Sequence, residues 1–107
     1  MIKEIQNFEK KIQIKMKNKN LLLKALTHKS FDQTNNNEKL EFLGDRVLGL
    51  VLSKKLIDLY PDENEGILDK RFAKLVNRST CSSIGWSIQI QDYIILGDTK
   101  KKNYSKR

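Results

Sequence analysis

The chain has one cysteine, one proline, one histidine and five glycines in 107 residues, and each scarcity removes a class of answer. With Cys81 alone, no internal disulfide can form and no cysteine-built zinc site is available, which fits a reducing compartment such as the cytoplasm. His28 has no second histidine or cysteine beside it, so a structural role at a helix end suits it better than metal ligation. No apolar run reaches the roughly 18 residues that a membrane-spanning helix needs. The N-terminus carries Glu4 and Glu9 among its apolar residues and does not read as a secretory signal. No internal repeat is visible. What remains is a leucine- and lysine-rich sequence with few helix breakers, which predicts an all-α fold. The length suits one small domain, and 38% hydrophobic with 32% charged residues marks a globular chain.

The net charge is +8, and it is unevenly placed. Residues 1–29 hold eight lysines and two glutamates, and residues 70–107 hold nine basic residues and two aspartates. Residues 30–69 reverse the balance, with nine acids against four bases. An acidic centre between basic ends suits a metal site served by phosphate-binding surfaces. The competing reading is a general surplus of surface lysine.

Helical spacing of Ile5, Phe8, Ile12 and Met16 predicts a first helix over 3–15. A polar turn at 17–20 precedes a short helix from Leu21 to Thr27. After a polar loop, Asn37 is a suitable N-cap for a third helix running to about Tyr60, where Pro61 stops it. The acidic turn 61–66 leads into a helix with Leu68, Phe72, Leu75 and Val76 on its apolar face. Its other side carries Lys70, Arg71, Lys74 and Arg78, either a solvated face or a surface for phosphates. Ser79 or Thr80 is expected to cap a last short helix through Ile84 and Trp86, with Trp86 in the core. The packed part ends near Gly97, and 98–107 reads as a basic tail, expected to be mobile.

The third helix carries the chemistry. Glu38, Glu41 and Asp45 fall at i, i+3 and i+7, on one face. Leu40, Leu43, Val47, Leu50 and Val51 take the opposite face at core spacing. The acid stripe continues through Leu48, Leu52 and Leu56. A helix apolar all round is a buried helix, so the acids are expected to face a cleft or a partner rather than open water. Gly44 and Gly49 each cost ~1 kcal/mol relative to alanine in a helix interior. Gly49 lies on the acid side, as expected where a backbone or ligand comes close. Stacked like charges repel unless a cation sits between them, and clustered carboxylates suit a hard ion such as Mg²⁺. The alternative is that Glu38 and Glu41 only favour the positive end of the helix.

The segment NEKLEFLGDRVLGLVLSKKL, residues 37–56, resembles the signature helix of the ribonuclease III family, the double-stranded-RNA endonucleases, and its bacterial members in particular. LLLKALTHKSF and ILDKRFAKLVNRSTC resemble the helices on either side. The resemblance implies a helical bundle that cleaves double-stranded RNA with Mg²⁺, Mn²⁺ being a possible substitute. Its products would carry 5′-phosphates and short 3′ overhangs, and its setting would be the processing of ribosomal and messenger RNA precursors. It also implies that Glu41 ligates the metal and that Asp45 is the essential acid, acting at the metal or through its water. Glu38 and Glu65 would support them. Phe42 would reach into the partner of a homodimer, with the duplex in the valley between subunits, read by shape and backbone. The RNA-contacting residues are not identifiable from sequence.

The sequence departs from the family pattern in one respect. The family completes each metal site with a second acidic pair, an Asp and a Glu one helical turn apart. Beyond Asp69 this chain has only Asp92 and Asp98. The expected organisation is therefore a partial endonuclease domain over 1–97 and a tail over 98–107, without a double-stranded-RNA-binding domain. Three readings stay open: an Mg²⁺-dependent nuclease, either active as it stands or inactive alone for want of the second pair; a non-catalytic RNA-binding or dimerisation module of the same fold; and a plain helical bundle whose acids serve helix ends.

Overall fold

Three asparagines punctuate the chain. The side chains of Asn18, Asn64 and Asn77 each accept the backbone N–H three residues on, from Leu21 (3.0 Å), Ile67 (3.0 Å) and Thr80 (2.8 Å). This satisfies one of the donors that every helix start leaves open. In the computed structural model, which describes residues 2–98, the helices are α1 (Ile2–Ile12), α2 (Lys19–Ala25), α3 (Glu38–Leu59), α4 (Glu65–Val76) and α5 (Arg78–Ser87). A 3₁₀ turn, Ile90–Asp92, follows. There is no strand among the described residues, only an isolated parallel bridge between Thr27 and Ile95, so the all-α expectation holds. The tail expected over 98–107 lies, but for Asp98, outside the described residues.

One expected cap is corrected. α5 is capped by Asn77, not by Ser79 or Thr80, and the Thr80 hydroxyl donates to the Lys74 carbonyl instead (2.8 Å). Asn37 stands at the N-cap position of α3, as expected, and its carbonyl accepts from Glu41 N–H (2.7 Å), but its side chain makes no capping bond. Its amide donates to the Ala25 carbonyl (3.2 Å), and the Asn36 side chain accepts from Glu38 N–H (3.1 Å). The asparagine is spent on tying α3 to the end of α2.

The core sits between α1 and α2, where Ile5, Phe8, Leu22 and Leu26 are buried, with Ile12, Met16, Leu23, Ile90 and Tyr93 packed around them. The Phe8 and Tyr93 rings meet at 5.1 Å and 51°. Glu9 is buried beside this core. Its carboxylate accepts from Met16 N–H (2.5 Å) and from the Lys19 ammonium, and so ties α1 to the start of α2. The chain returns to this region after the 3₁₀ turn: Ile95 N–H donates to Leu26 (2.8 Å) and His28 N–H donates to Ile95 (2.9 Å). Gly97 lies so close to Ser30 that an added Cβ would sit 2.4 Å from its carbonyl oxygen. Only glycine fits that approach.

The packing of α3 divides its apolar residues otherwise than expected. On the line that continues the acid stripe, Leu56 is buried at 6% exposure and Leu52 is half-buried, while Leu48 is exposed; on the other face Leu40 is half-buried. Gly49, on the same line, is approached by the Phe72 ring of α4 at 3.5 Å from the position of a Cβ. The partner anticipated at Gly49 is therefore a side chain of this chain. Leu43, Val47, Leu50 and Val51, expected in the core, are exposed, Leu50 at 72%. A helix apolar on two sides offers two faces for burial, and α4 covers one of them. Trp86 is likewise not core; it is 43% exposed. Gly85, one residue earlier, faces the 3₁₀ turn, 3.3 Å from Ile90 Cγ2 measured from an added Cβ. The radius of gyration, 16.3 Å, exceeds the value of about 13 Å for a compact domain of this length.

Candidate active site

The first two turns of α3 bring Glu38, Glu41 and Asp45 to one depression, shared with Phe42 and Arg46. The helical period places them there, as their spacing predicted. The depression is open, which corrects the expectation of a cleft: Glu38, Glu41 and Asp45 are all exposed, the Asp45 side chain at 77%. α4 comes close to α3 one turn beyond Asp45, where the Phe72 ring approaches Gly49. Gly44 has nothing within 4 Å of an added Cβ.

Arg46 was not singled out from the sequence. Its guanidinium lies over the Phe42 ring, 3.7 Å from the centroid, and donates to the Phe42 carbonyl (3.0 Å). It also stands 3.9 Å from the Asp45 carboxylate. The signal was the i,i+4 spacing of an aromatic and an arginine on one helix face. Lys29, from the loop after α2, stands 3.6 Å from Glu38. Each outer acid of the stripe thus has a cation beside it, and both pairs are too exposed to add much stability.

Glu65 does not join this group; it is the first residue of α4 and does not line the depression. Its neighbour Glu63 forms a two-pronged ion pair with Arg71, at 2.5 and 2.6 Å. The hydrogen bonds from Arg71 hold the Glu63 carboxyl below the usual range, and Glu63 raises the guanidinium in turn. Arg71 also stacks on Tyr60 at 3.7 Å. The expected basic stripe on α4 therefore loses Arg71, while Lys70, Lys74 and Arg78 stay exposed.

Among the described residues no group of three or more His, Cys, Asp or Glu is arranged to hold a metal ion. The Glu41 and Asp45 carboxylates are hard oxygen donors on an open face. That fits Mg²⁺, which keeps several waters and is commonly held by one or two carboxylates together with substrate phosphates. It does not fit an ion needing a closed protein cage.

A family model described as Ribonuclease-III-like matches residues 18–107. The chain belongs to the ribonuclease III family. The Ribonuclease 3 of Pelagibacter ubique is 55% identical over 94 residues, which cover 88% of this chain and 42% of that protein. The Ribonuclease 3 of Campylobacter jejuni is 41% identical over 105 residues, covering 98% of this chain and 47% of that protein. The chain thus spans less than half the length of these relatives. Among solved structures, the nuclease domain of ribonuclease III from Campylobacter jejuni superposes with a TM-score of 0.88 at 41% identity, over 95% of this chain and 71% of that one. A second structure of the same nuclease domain gives a TM-score of 0.86. The ribonuclease III fold is therefore the arrangement that presents the acidic end of α3. Among the described residues no helix is long and apolar enough to cross a membrane.

Proposed function

We propose that the chain forms part of an endonuclease domain that hydrolyses double-stranded RNA with a divalent cation held by Glu41 and Asp45. One observation carries this reading: in a chain of the ribonuclease III family, both carboxylates share an open depression on the helix that also presents a bare apolar face. When bound there, Mg²⁺, or Mn²⁺ in its place, would supply Lewis acidity, lowering the pKa of a water and offsetting charge on phosphate oxygens. Glu41 and Asp45 would hold and orient the ion, with Glu38 in support from the adjacent turn. The open rim leaves room for the backbone of a duplex, whose broad minor groove is read by shape and by phosphate and 2′-hydroxyl contacts. Processing of RNA precursors in the cytoplasm is the setting this activity suits.

The same reading gives the apolar face of α3 to a second copy of the chain. Phe42, Leu43, Val47, Leu50 and Val51 are exposed together, more apolar surface than scattered surface residues account for. One of the Campylobacter jejuni structures is described by flexibility in a region involved in dimer formation of its nuclease domain. A homodimer across α3, with Phe42 at its edge, is the counterpart proposed here.

A second reading, a non-catalytic RNA-binding or dimerisation module, is favoured because no group of three or more potential metal ligands comes together among the described residues. The test is incubation of the purified 107-residue chain with a long RNA duplex, with and without Mg²⁺. Cutting that needs Mg²⁺ and disappears in Glu41→Gln and Asp45→Asn supports the nuclease. Salt-sensitive binding without cutting supports the module. Mg²⁺ binding and cutting unchanged in both variants would leave the acids with a helix-end role only.

A further inference from the structure

Beside the acidic depression lies a second one, lined by His28, Lys29, Ser30, Gln33 and Glu38. Glu38 lines both. The loop that builds the second depression is held from three directions. His28 N–H donates to Ile95 (2.9 Å), and Asn37 N–H donates to Thr27 (3.0 Å). Asp32 accepts from Thr34 N–H (3.0 Å) and Asn35 N–H (2.9 Å). Ser30 accepts from Gly97 N–H (2.9 Å) at the point where Gly97 alone allows the approach.

This bracing sets the histidine. The Ser30 hydroxyl accepts from Gly97 and lies 2.8 Å from His28 Nδ1. Ser30 N–H donates to the same nitrogen at 3.0 Å. An Nδ1 that accepts this backbone N–H carries no proton, which puts the proton of the neutral ring on Nε2. That N–H has no protein partner among the described residues. Lys29 offers three further donors. Its pair with Glu38 is long, at 3.6 Å, and both side chains are well exposed, so it yields readily to a stronger anion. Gln33 adds an exposed amide.

We propose that His28, Lys29 and Gln33 form a seat for one backbone phosphate of the RNA, one residue from the acidic depression and joined to it through Glu38. The proposal rests on the double-stranded-RNA reading above. It gives the loop after α2 a positioning role: a phosphate seated there fixes which stretch of the strand lies over Glu41 and Asp45. Donors on a rigid loop hold a phosphate more exactly than donors on a free chain. The acids stacked on α3 repel that strand wherever no cation lies between, so a neighbouring cationic seat offsets the repulsion.

The test is binding of a short RNA duplex to the 107-residue chain, followed by fluorescence anisotropy over a range of salt concentrations. Lys29→Ala is expected to weaken binding at low salt by roughly fivefold, the scale of one exposed charge contact. It should also flatten the dependence of log affinity on log salt by about one phosphate contact. Gln33→Ala should weaken binding with the slope unchanged, and Glu38→Gln should tighten it by freeing Lys29. None of the three touches the His28–Ser30–Gly97 bracing, so each variant should melt as the parent does. Lys54→Ala, a lysine paired with Asp58 in the distal half of α3, is the control. Parent binding with an unchanged affinity and slope in Lys29→Ala overturns the seat, and so does an equal loss in Lys54→Ala. A parent chain that binds no duplex at all overturns the RNA reading instead.

Discussion

The two ends of this molecule treat their apolar residues in opposite ways. In α1 and α2, Ile5, Phe8, Leu22 and Leu26 bury one another, and the chain returns through Tyr93 and Ile95 to close the cluster. In α3 to α5, only Leu56 is buried, while Leu43, Val47, Leu50, Val51, Ile84 and Trp86 stay in solvent. Apolar burial contributes about 25 cal/mol per Å² removed from water, so the first region stabilises itself and the second gains little until something covers it. The difference separates two kinds of surface. The closed end is scaffold, and the open end leaves an apolar face uncovered, with the acids at its margin.

The comparison can be broken most severely in the closed end. Phe8→Ala is expected to lower the unfolding free energy by about 3–5 kcal/mol, the usual result of removing a buried ring, as read by urea denaturation. A loss below about 1 kcal/mol would mean that α1 and α2 are not the folding core. A smaller loss, about 1 kcal/mol, is expected for Asn77→Ala, which removes the cap between α4 and α5; thermal melting measures it.

The Glu9 link gives a pH-dependent effect. Hydrogen bonds from Lys19 and then Met16 hold its carboxyl below the ordinary value. A group whose folded pKa is depressed adds stability above its unfolded pKa, and that stability is lost as pH falls through the folded pKa. Unfolding free energy should therefore decline as pH drops below about 4.3, the free glutamate value. Glu9→Gln should flatten that decline; an identical pH profile in the variant would refute the link.

The smallest effect sharpens the contrast. Leu50→Ala should change the stability of the monomer by no more than about 0.5 kcal/mol, as for an ordinary surface site. The same variant should weaken self-association measured by sedimentation. A large stability loss in a chain that sediments as a monomer would show that the α3 face is already covered within one copy.

Much of this was legible in the residues. The helices, their order and the shared face of Glu38, Glu41 and Asp45 follow from spacing, because the helical period is local. The Asn77 cap was missed because Ser79 and Thr80 have the same propensity, and only the backbone direction chooses among them. Arg46 over Phe42 was readable from i,i+4 spacing. The Lys29–Glu38 neighbourhood was not, since it joins a loop to a helix.

By itself, then, the sequence determined an all-α chain, an acidic stripe one turn apart on its longest helix, and likeness to a nuclease family. It did not determine which side of that helix would meet α4. Both sides are apolar enough to be buried, so local pattern leaves the choice degenerate. Tertiary packing resolved it: Phe72 closes on the line of Gly49 and Leu56, and Leu50 is left facing water. Burial is a property of what else is near, and no residue carries that information alone.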